Sequence, residues 1–274
     1  MGMRIIRQII ISLVYLVIIG GISYAIYSHS KPVPTCNDGS KNGQEEGVDC
    51  GVAACGVACI PELIPFDVKS IQLLRVGLQD YDFVADIANP NKQYGASDVS
   101  YELTLLDNAT QVISKQNGNF YILPGEEKHI IVTAIKSATE VKTAQIKIIS
   151  AHWQELDSLG GTNFLVRNKA YDVLSGGSSS ELNAILANNS DFDFAKVDIG
   201  IVLLNDKNEI LAVNQSDART LLAHTERAFN AIWPFFIAGK VTRINIEVTT
   251  NLFDNLDYVK RYGPSTEEFQ KYYY

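Results

Sequence analysis

From Ile9 to Tyr27 the chain runs nineteen consecutive residues without a charge, rich in Ile, Val and Leu. As a helix rising about 1.5 Å per residue, such a run spans roughly 28 Å, the depth of a bilayer's hydrocarbon core. Ser12 and Ser23 are tolerated there because their hydroxyls return to the preceding helical turn. Tyr24 and Tyr27 fall where an interfacial aromatic belt would lie. A cleaved signal peptide is the competing reading, but its apolar region normally covers only about 7–15 residues. The expectation is an uncleaved, single-pass anchor in the cytoplasmic membrane.

Orientation follows from the flanks. Arg4 and Arg7 precede the run and only Lys31 follows closely. The positive-inside bias therefore predicts a cytoplasmic N-terminus, with everything after Lys31 extracytoplasmic. Past position 30 the remaining 21 Lys and Arg face all 31 Asp and Glu. That negative surface repels phosphate backbones and argues against nucleic acid as a partner.

Lys31-Pro32-Val33-Pro34 reads as a stiff, extended stalk. Immediately after it come all four cysteines of the protein, Cys36, Cys50, Cys55 and Cys59. Clustered outside a membrane, they predict two disulfides, with all three pairings open. The residues between Cys36 and Cys50 are turn formers and oxygen donors with almost no apolar side chain, so crosslinks must hold the segment. A zinc site would use the four thiolates, but the spacing lacks paired short knuckles. Calcium is the other candidate ligand, through Asp38, Asn42, Glu46 and Asp49, although the spacing is not that of an EF-hand loop.

The string Pro34-Thr35-Cys36-Asn37-Asp38-Gly39, then Asn42-Gly43, Glu46-Gly47 and Val48-Asp49-Cys50-Gly51, resembles a Cys-rich segment of exported bacterial surface proteins. It has one extra residue before the Glu-Gly pair, and Val52 in place of a second glycine. The resemblance implies an extracytoplasmic compartment and no particular activity.

Beyond Pro65 the pattern becomes short alternating runs: Val68–Leu74, Tyr81–Ala88, Val99–Leu106, Gln111–Ser114, Lys128–Ile135 and Thr143–Ile149. Turn formers separate them, as at Asn89-Pro90-Asn91 and Pro124-Gly125. A second half follows with a shift of 98. Val99, Leu103, Leu105 and Leu106 fall on Val197, Ile201, Leu203 and Leu204; Leu123 falls on Leu221, Ile131 on Phe229, Ile146 on Ile244 and Ile148 on Ile246. Asn89 corresponds to Asn188, one residue out of register. Ser150–Lys169 is read as a joint, loosest at Gly160-Gly161, with Ala151–Leu159 as a helical turn or irregular linker. Ser175–Ser180 is a hairpin tip or loop.

Each half has a strand ending in a polar turn, Leu103-Thr104-Leu105-Leu106-Asp107 and Ile201-Val202-Leu203-Leu204-Asn205. This resembles the FxLYD-type domain, an immunoglobulin-like sandwich of bacterial envelope proteins, with Leu103 and Leu106 where that motif has aromatics. The resemblance implies the fold and an extracytoplasmic setting, and no functional residues come with it.

The fold class expected is mainly β: two tandem immunoglobulin-like β-sandwich domains after an N-terminal transmembrane helix and a short Cys-rich module. The divisions are 1–30 for the cytoplasmic N-terminus and transmembrane helix, 31–62 for the stalk and module, 63–155 and 156–262 for the sandwiches, and 263–274 for a C-terminal tail.

Catalytic constellations are missing from the sequence. His29, His129, His152 and His224 show no metal spacing, and there is no G-x-S-x-G, H-E-x-x-H or P-loop. Asp191-Phe192-Asp193-Phe194 reads as core alternating with a solvated face, and Trp153 and Trp233-Pro234-Phe235-Phe236 as core or interface packing. The expected role is a non-enzymatic membrane-anchored surface protein, with no cofactor beyond possible calcium. Its expected partner is another envelope or surface protein docking on a sheet face or edge. The alternative is an extracytoplasmic carrier or sensor binding a small apolar ligand.

Overall fold

The alternation of apolar side chains past Pro65 produces strands, and the charge-free opening run produces a helix. A computed structural model describes residues 2–29, 35–57, 59, 62–156 and 159–263. It divides into two units, Met1–Leu63 and Ile64–Tyr274, treated separately below.

In the first unit, helix α1 spans Gly2–His29. Its segment Ile10–Tyr27 has a mean hydropathy of 2.1 and none of it is buried. A helix apolar on every side has no polar face to give water, and this one is long enough to cross a bilayer once. The stalk residues 31–34 lie outside the described residues. After them comes the Cys-rich module, whose only helix among the described residues is the single turn α2, Val52–Cys55.

The described residues of the second unit hold twelve strands in four antiparallel sheets. The first six are β1 Asp67–Arg75, β2 Asp80–Ala88, β3 Tyr94–Leu106, β4 Val112–Ile122, β5 Glu127–Lys136 and β6 Thr143–Glu155. They form two sheets, ordered β1-β2-β5 and β4-β3-β6. Period-two side chains fill the space between: Phe83, Ala85 and Ile87 from β2 meet Val99, Leu103 and Leu105 from β3, all at most 1% exposed.

The remaining strands are β7 Phe164–Val173, β8 Ser180–Asn188, β9 Phe194–Leu204, β10 Ile210–Leu221, β11 Glu226–Trp233 and β12 Arg243–Thr249. Their sheets, β7-β8-β11 and β10-β9-β12, repeat the earlier order strand for strand. Leu182 and Leu186 of β8, Val197, Ile199, Ile201 and Leu203 of β9, and Trp233 of β11 form the second core.

The shift of 98 holds in the β3–β4 and β9–β10 hairpins from their turns as far as Phe120 and Ala218, and drifts beyond. Leu103 pairs with Gln116 as Ile201 pairs with Asn214, and both hairpins carry an irregularity near their turn. Along β5 the shift becomes 99: Ile130, not Ile131, corresponds to Phe229, because these two pair with Ala85 and Ala184. Leu221 likewise corresponds to the buried Ile122 rather than to Leu123, since they pair with Phe194 and Ala96. Along β6 it becomes 100: Leu103 pairs with Ile146 and Ile201 with Ile246. A drift of two preserves the inward face, which is why an ungapped alignment still matched apolar residues there.

Two expectations about irregular segments are corrected. Ala151–Glu155 is neither helical nor linker; it continues β6 against β3. Gly160-Gly161 is not loose: Gly160 accepts a 2.9 Å hydrogen bond from the Tyr258 hydroxyl. Gly161, at φ 88°, lies so close that a Cβ would come within 2.7 Å of the Tyr262 hydroxyl. Both tyrosines belong to helix α3, Leu256–Tyr262, capped by the Asn255 side chain accepting from Tyr258 N. The positions at 264–274 lie outside the described residues.

The two sandwiches meet through a third apolar cluster. Val84 and Ile131, on the outer face of β2 and β5, pack with Val202, Leu204 and Val213 of β9 and β10. Fully burying a side chain of this size contributes roughly 1.5–3 kcal/mol. Strands β2 and β9 are therefore covered on both faces over much of their length, with Asp82 and Asp86 of β2 and Lys196 and Asp198 of β9 as polar positions among the apolar ones.

Candidate functional site

Two places gather polar chemistry: the Cys-rich module and the seam between the sandwiches. In the module the cysteines pair as Cys36–Cys55 and Cys50–Cys59, one interleaved choice among the three open pairings. No sulfur is left as a thiolate for zinc. Gly47 lies against the second bridge, so close that a Cβ there would come 2.6 Å from Cys50 Sγ. Gly51 adopts φ 133°, a conformation that favours glycine.

Three of the four side chains proposed for calcium, Asp38, Asn42 and Asp49, accept hydrogen bonds within the module. Asp49 accepts from Asp38 N at 3.0 Å and from Gly39 N at 2.8 Å. Asp38 accepts from Ser40 N at 2.9 Å and from Asn42 Nδ2 at 2.8 Å. The Thr35 hydroxyl also donates to Asp38, and these bonds hold its carboxyl below the usual carboxylate range. Asn42 turns its own oxygen to Thr35 N. Among the described residues, Asp38, Glu46 and Asp49 do not converge as a group of three within 4.8 Å of one another. The arrangement fits a hydrogen-bonded brace and does not fit a calcium cage, which needs six to eight oxygens turned towards one point.

The other singled-out residues serve packing. Trp233 is 1% exposed and donates Nε1–H to Val213 O at 2.9 Å. Trp153 stacks on Phe66 with centroids 4.6 Å apart. Phe192 and Phe194 are buried, while Asp191 and Asp193 stay outside, bonded to His224 Nε2 and to Ala223 N. His152 lies 3.4 Å from the Ser97 hydroxyl. Phe236 alone of its aromatic group is widely exposed, at 70%.

The richer cluster lies at the seam. Strand β4 supplies Tyr121, β5 supplies Lys128 and His129, β9 supplies Lys196 and Asp198, and β12 supplies Glu247 and Thr249; these residues line a cavity of about 270 Å³. The Lys128 ammonium sits 3.3 Å from the centroid of the Tyr121 ring and donates to Thr249 Oγ1 at 3.1 Å. The Tyr121 hydroxyl donates to Asp198 Oδ2 at 2.9 Å, and Lys196 Nζ reaches Asp198 Oδ1 at 2.6 Å. Burial pushes the Lys128 ammonium down, against the pull of Glu126, Glu247 and Asp198. Burial, reinforced by Asp198, pushes the Tyr121 phenol far up, so it stays a donor. The turn carboxyl of Glu126 is also raised by burial, and it accepts from Leu123 N at 2.6 Å.

His129 sits between two carboxylates. Its Nδ1 lies 2.6 Å from Glu247 Oε2, and its backbone N–H donates to the same oxygen at 3.2 Å. Its Nε2 lies 3.0 Å from Asp86 Oδ1. That oxygen is buried and takes no well-angled hydrogen bond, so the contact is an ion pair only when the imidazole is protonated. The hydrogen bond to Glu247 is the main cause raising the imidazole's pKa above its ordinary value. Sequence reasoning missed this cluster because its members come from both halves of the chain. The one available signal was the charged pair Lys128-His129 opening a strand otherwise rich in isoleucine.

No family model matches the chain, and no curated protein matches it. Among solved structures, a crystal structure of red sea bream transglutaminase aligns over 73% of this chain and 31% of its own, at 9% identity and a TM-score of 0.23. The chain spans less than a third of that protein's length, and a likeness at this level carries no argument about chemistry.

Proposed function

We propose that this is a non-enzymatic, single-pass membrane protein whose helix α1 holds a braced Cys-rich spacer and a two-sandwich body outside the cytoplasm. There the body engages another envelope or surface protein. The single observation carrying this reading is α1 itself, whose segment Ile10–Tyr27 is long and apolar enough to cross a bilayer. Lipid is the solvent such a surface requires. The disulfides agree with an oxidising exterior. The immunoglobulin-like, FxLYD-type assignment belongs to the same proposal. It is supported by the recurring order, with first, second and fifth strands in one sheet and the other three in its mate.

A non-catalytic role is favoured by how the polar groups are used. Tyr121, Lys128, Asp198 and Thr249 partner one another, and Lys128 is 7% exposed. A carrier of small apolar ligands would need an open apolar gap, whereas Val84, Ile131, Val202, Leu204 and Val213 fill the seam.

The test is protease digestion and crosslinking of intact cells. Added protease should remove the chain beyond Lys31, and crosslinking should recover one reproducible membrane or surface partner. A chain untouched until the cells are lysed would overturn the topology. Repeated recovery of no partner would overturn the interaction.

A further inference from the structure

The two ring nitrogens of His129 face carboxylates from different sandwiches. Glu247, on β12 of the second, lies 2.6 Å from Nδ1, and Asp86, on β2 of the first, lies 3.0 Å from Nε2. A neutral imidazole has one N–H and one lone pair, so it would turn a lone pair towards one of these anions. Only the imidazolium sets positive charge beside both. The ring is about one-fifth exposed, enough for proton exchange with solvent.

We propose that His129 and Glu247 form an acid-closed latch between the sandwiches, which releases when the imidazolium gives up its proton.

The other charges facing the ring do not substitute for it. Strand β1 brings Lys69, which is taken by Glu127 of β5. Strand β9 brings Lys196 and Asp198, paired with each other. Strand β10 brings only the neutral Gln215 and Ser216 to this cavity. Lys128, next along β5, is directed at Tyr121 and Thr249. Deprotonated, His129 would leave Glu247, Asp86 and Glu127 close together with one cation fewer.

The direction follows from linkage. The folded pKa of His129 is raised above the ordinary imidazole value of about 6.5. Its stabilisation is fully present below that value and is lost as pH rises through the higher folded pKa. Lys128, depressed by burial, acts in the opposite sense and favours the packed seam as pH rises. Opening is local, because the apolar cluster of Val84, Ile131, Val202, Leu204 and Val213 holds the rest of the seam at any pH.

The test is amide hydrogen exchange on the full chain in detergent micelles, from about pH 5.5 to about pH 8.5, corrected for intrinsic exchange. Amides of β5 and β12 around His129 and Glu247 should lose protection on the order of tenfold across that range, while those of β3 and β8 do not change. His129→Gln should be flat with pH. Glu247→Gln, which keeps the shape and removes the charge, should move the midpoint to lower pH; it carries the same test should His129→Gln fail to fold. A flat wild-type profile, or an unchanged pH dependence in either variant, would overturn the latch.

Discussion

Asn89 and Asn188 perform one task at the ends of β2 and β8. Asn89 donates to Tyr94 O and Leu123 O and accepts from Asn91 N. Asn188, fully buried, donates to Phe192 O and Leu222 O and accepts from the Ser190 backbone N–H and hydroxyl. Each side chain thus satisfies carbonyls at the mouth of its sandwich that would otherwise be buried without donors. Asn188→Ala should cost roughly 3 kcal/mol, read from the shift of the urea unfolding midpoint. A loss below about 1 kcal/mol would mean water replaces the amide. Its burial also makes Asn188 a poor glycan acceptor once folded, despite the Asn188-Asn189-Ser190 pattern. In the module, Gly47→Ala should impede the Cys50–Cys59 bridge, since the added methyl falls on both sulfurs. Mass spectrometry after alkylation should then find free thiol at these two cysteines in the variant and none in the parent. The asparagines were legible as turn punctuation; what they bond to was not, because their partners lie up to 34 residues away.

Helix α3 shows what alternation cannot predict. Seven residues are too few to set up a periodic face, so no sequence pattern marks Leu256–Tyr262 as a helix. In the structure Tyr258 is fully buried, its ring 5.2 Å from Phe192, with Tyr262 beside both. The helix closes one end of the second core together with Leu252 and Phe253. Tyr258→Ala should therefore cost about 3–5 kcal/mol, as large-to-small changes of buried aromatics do, and lower the thermal midpoint of the second unit. A shift within error would show that α3 is an ornament on the sandwich. The strands were legible wherever one face is buried and the other wet. Strand β2 was legible as Tyr81–Ala88 although its cover on both faces was not, and the extra length of β6 was lost in the mixed composition of Ala151–Glu155.

Across the whole molecule, covalent and non-covalent stability occupy different parts of the chain. Every cysteine lies between positions 36 and 59, and the twelve strands hold none. Reduction with dithiothreitol should collapse the module, seen as new protease cuts between Thr35 and Cys59. The urea midpoint of the β-sheet signal should not change. A fall in that midpoint would mean the module braces the sandwiches.

The linear order of residues settled the greasy helix, the crosslinked segment and the predominance of strands, because hydropathy run length, cysteine clustering and period-two alternation are local properties. The disulfide pairing, the seam and the His129 contacts were decided only by tertiary structure. Each depends on groups far apart in the chain, such as His129 and Glu247 at a separation of 118 residues. The stacking of two sheet faces brings such groups together, and no local pattern encodes that distance.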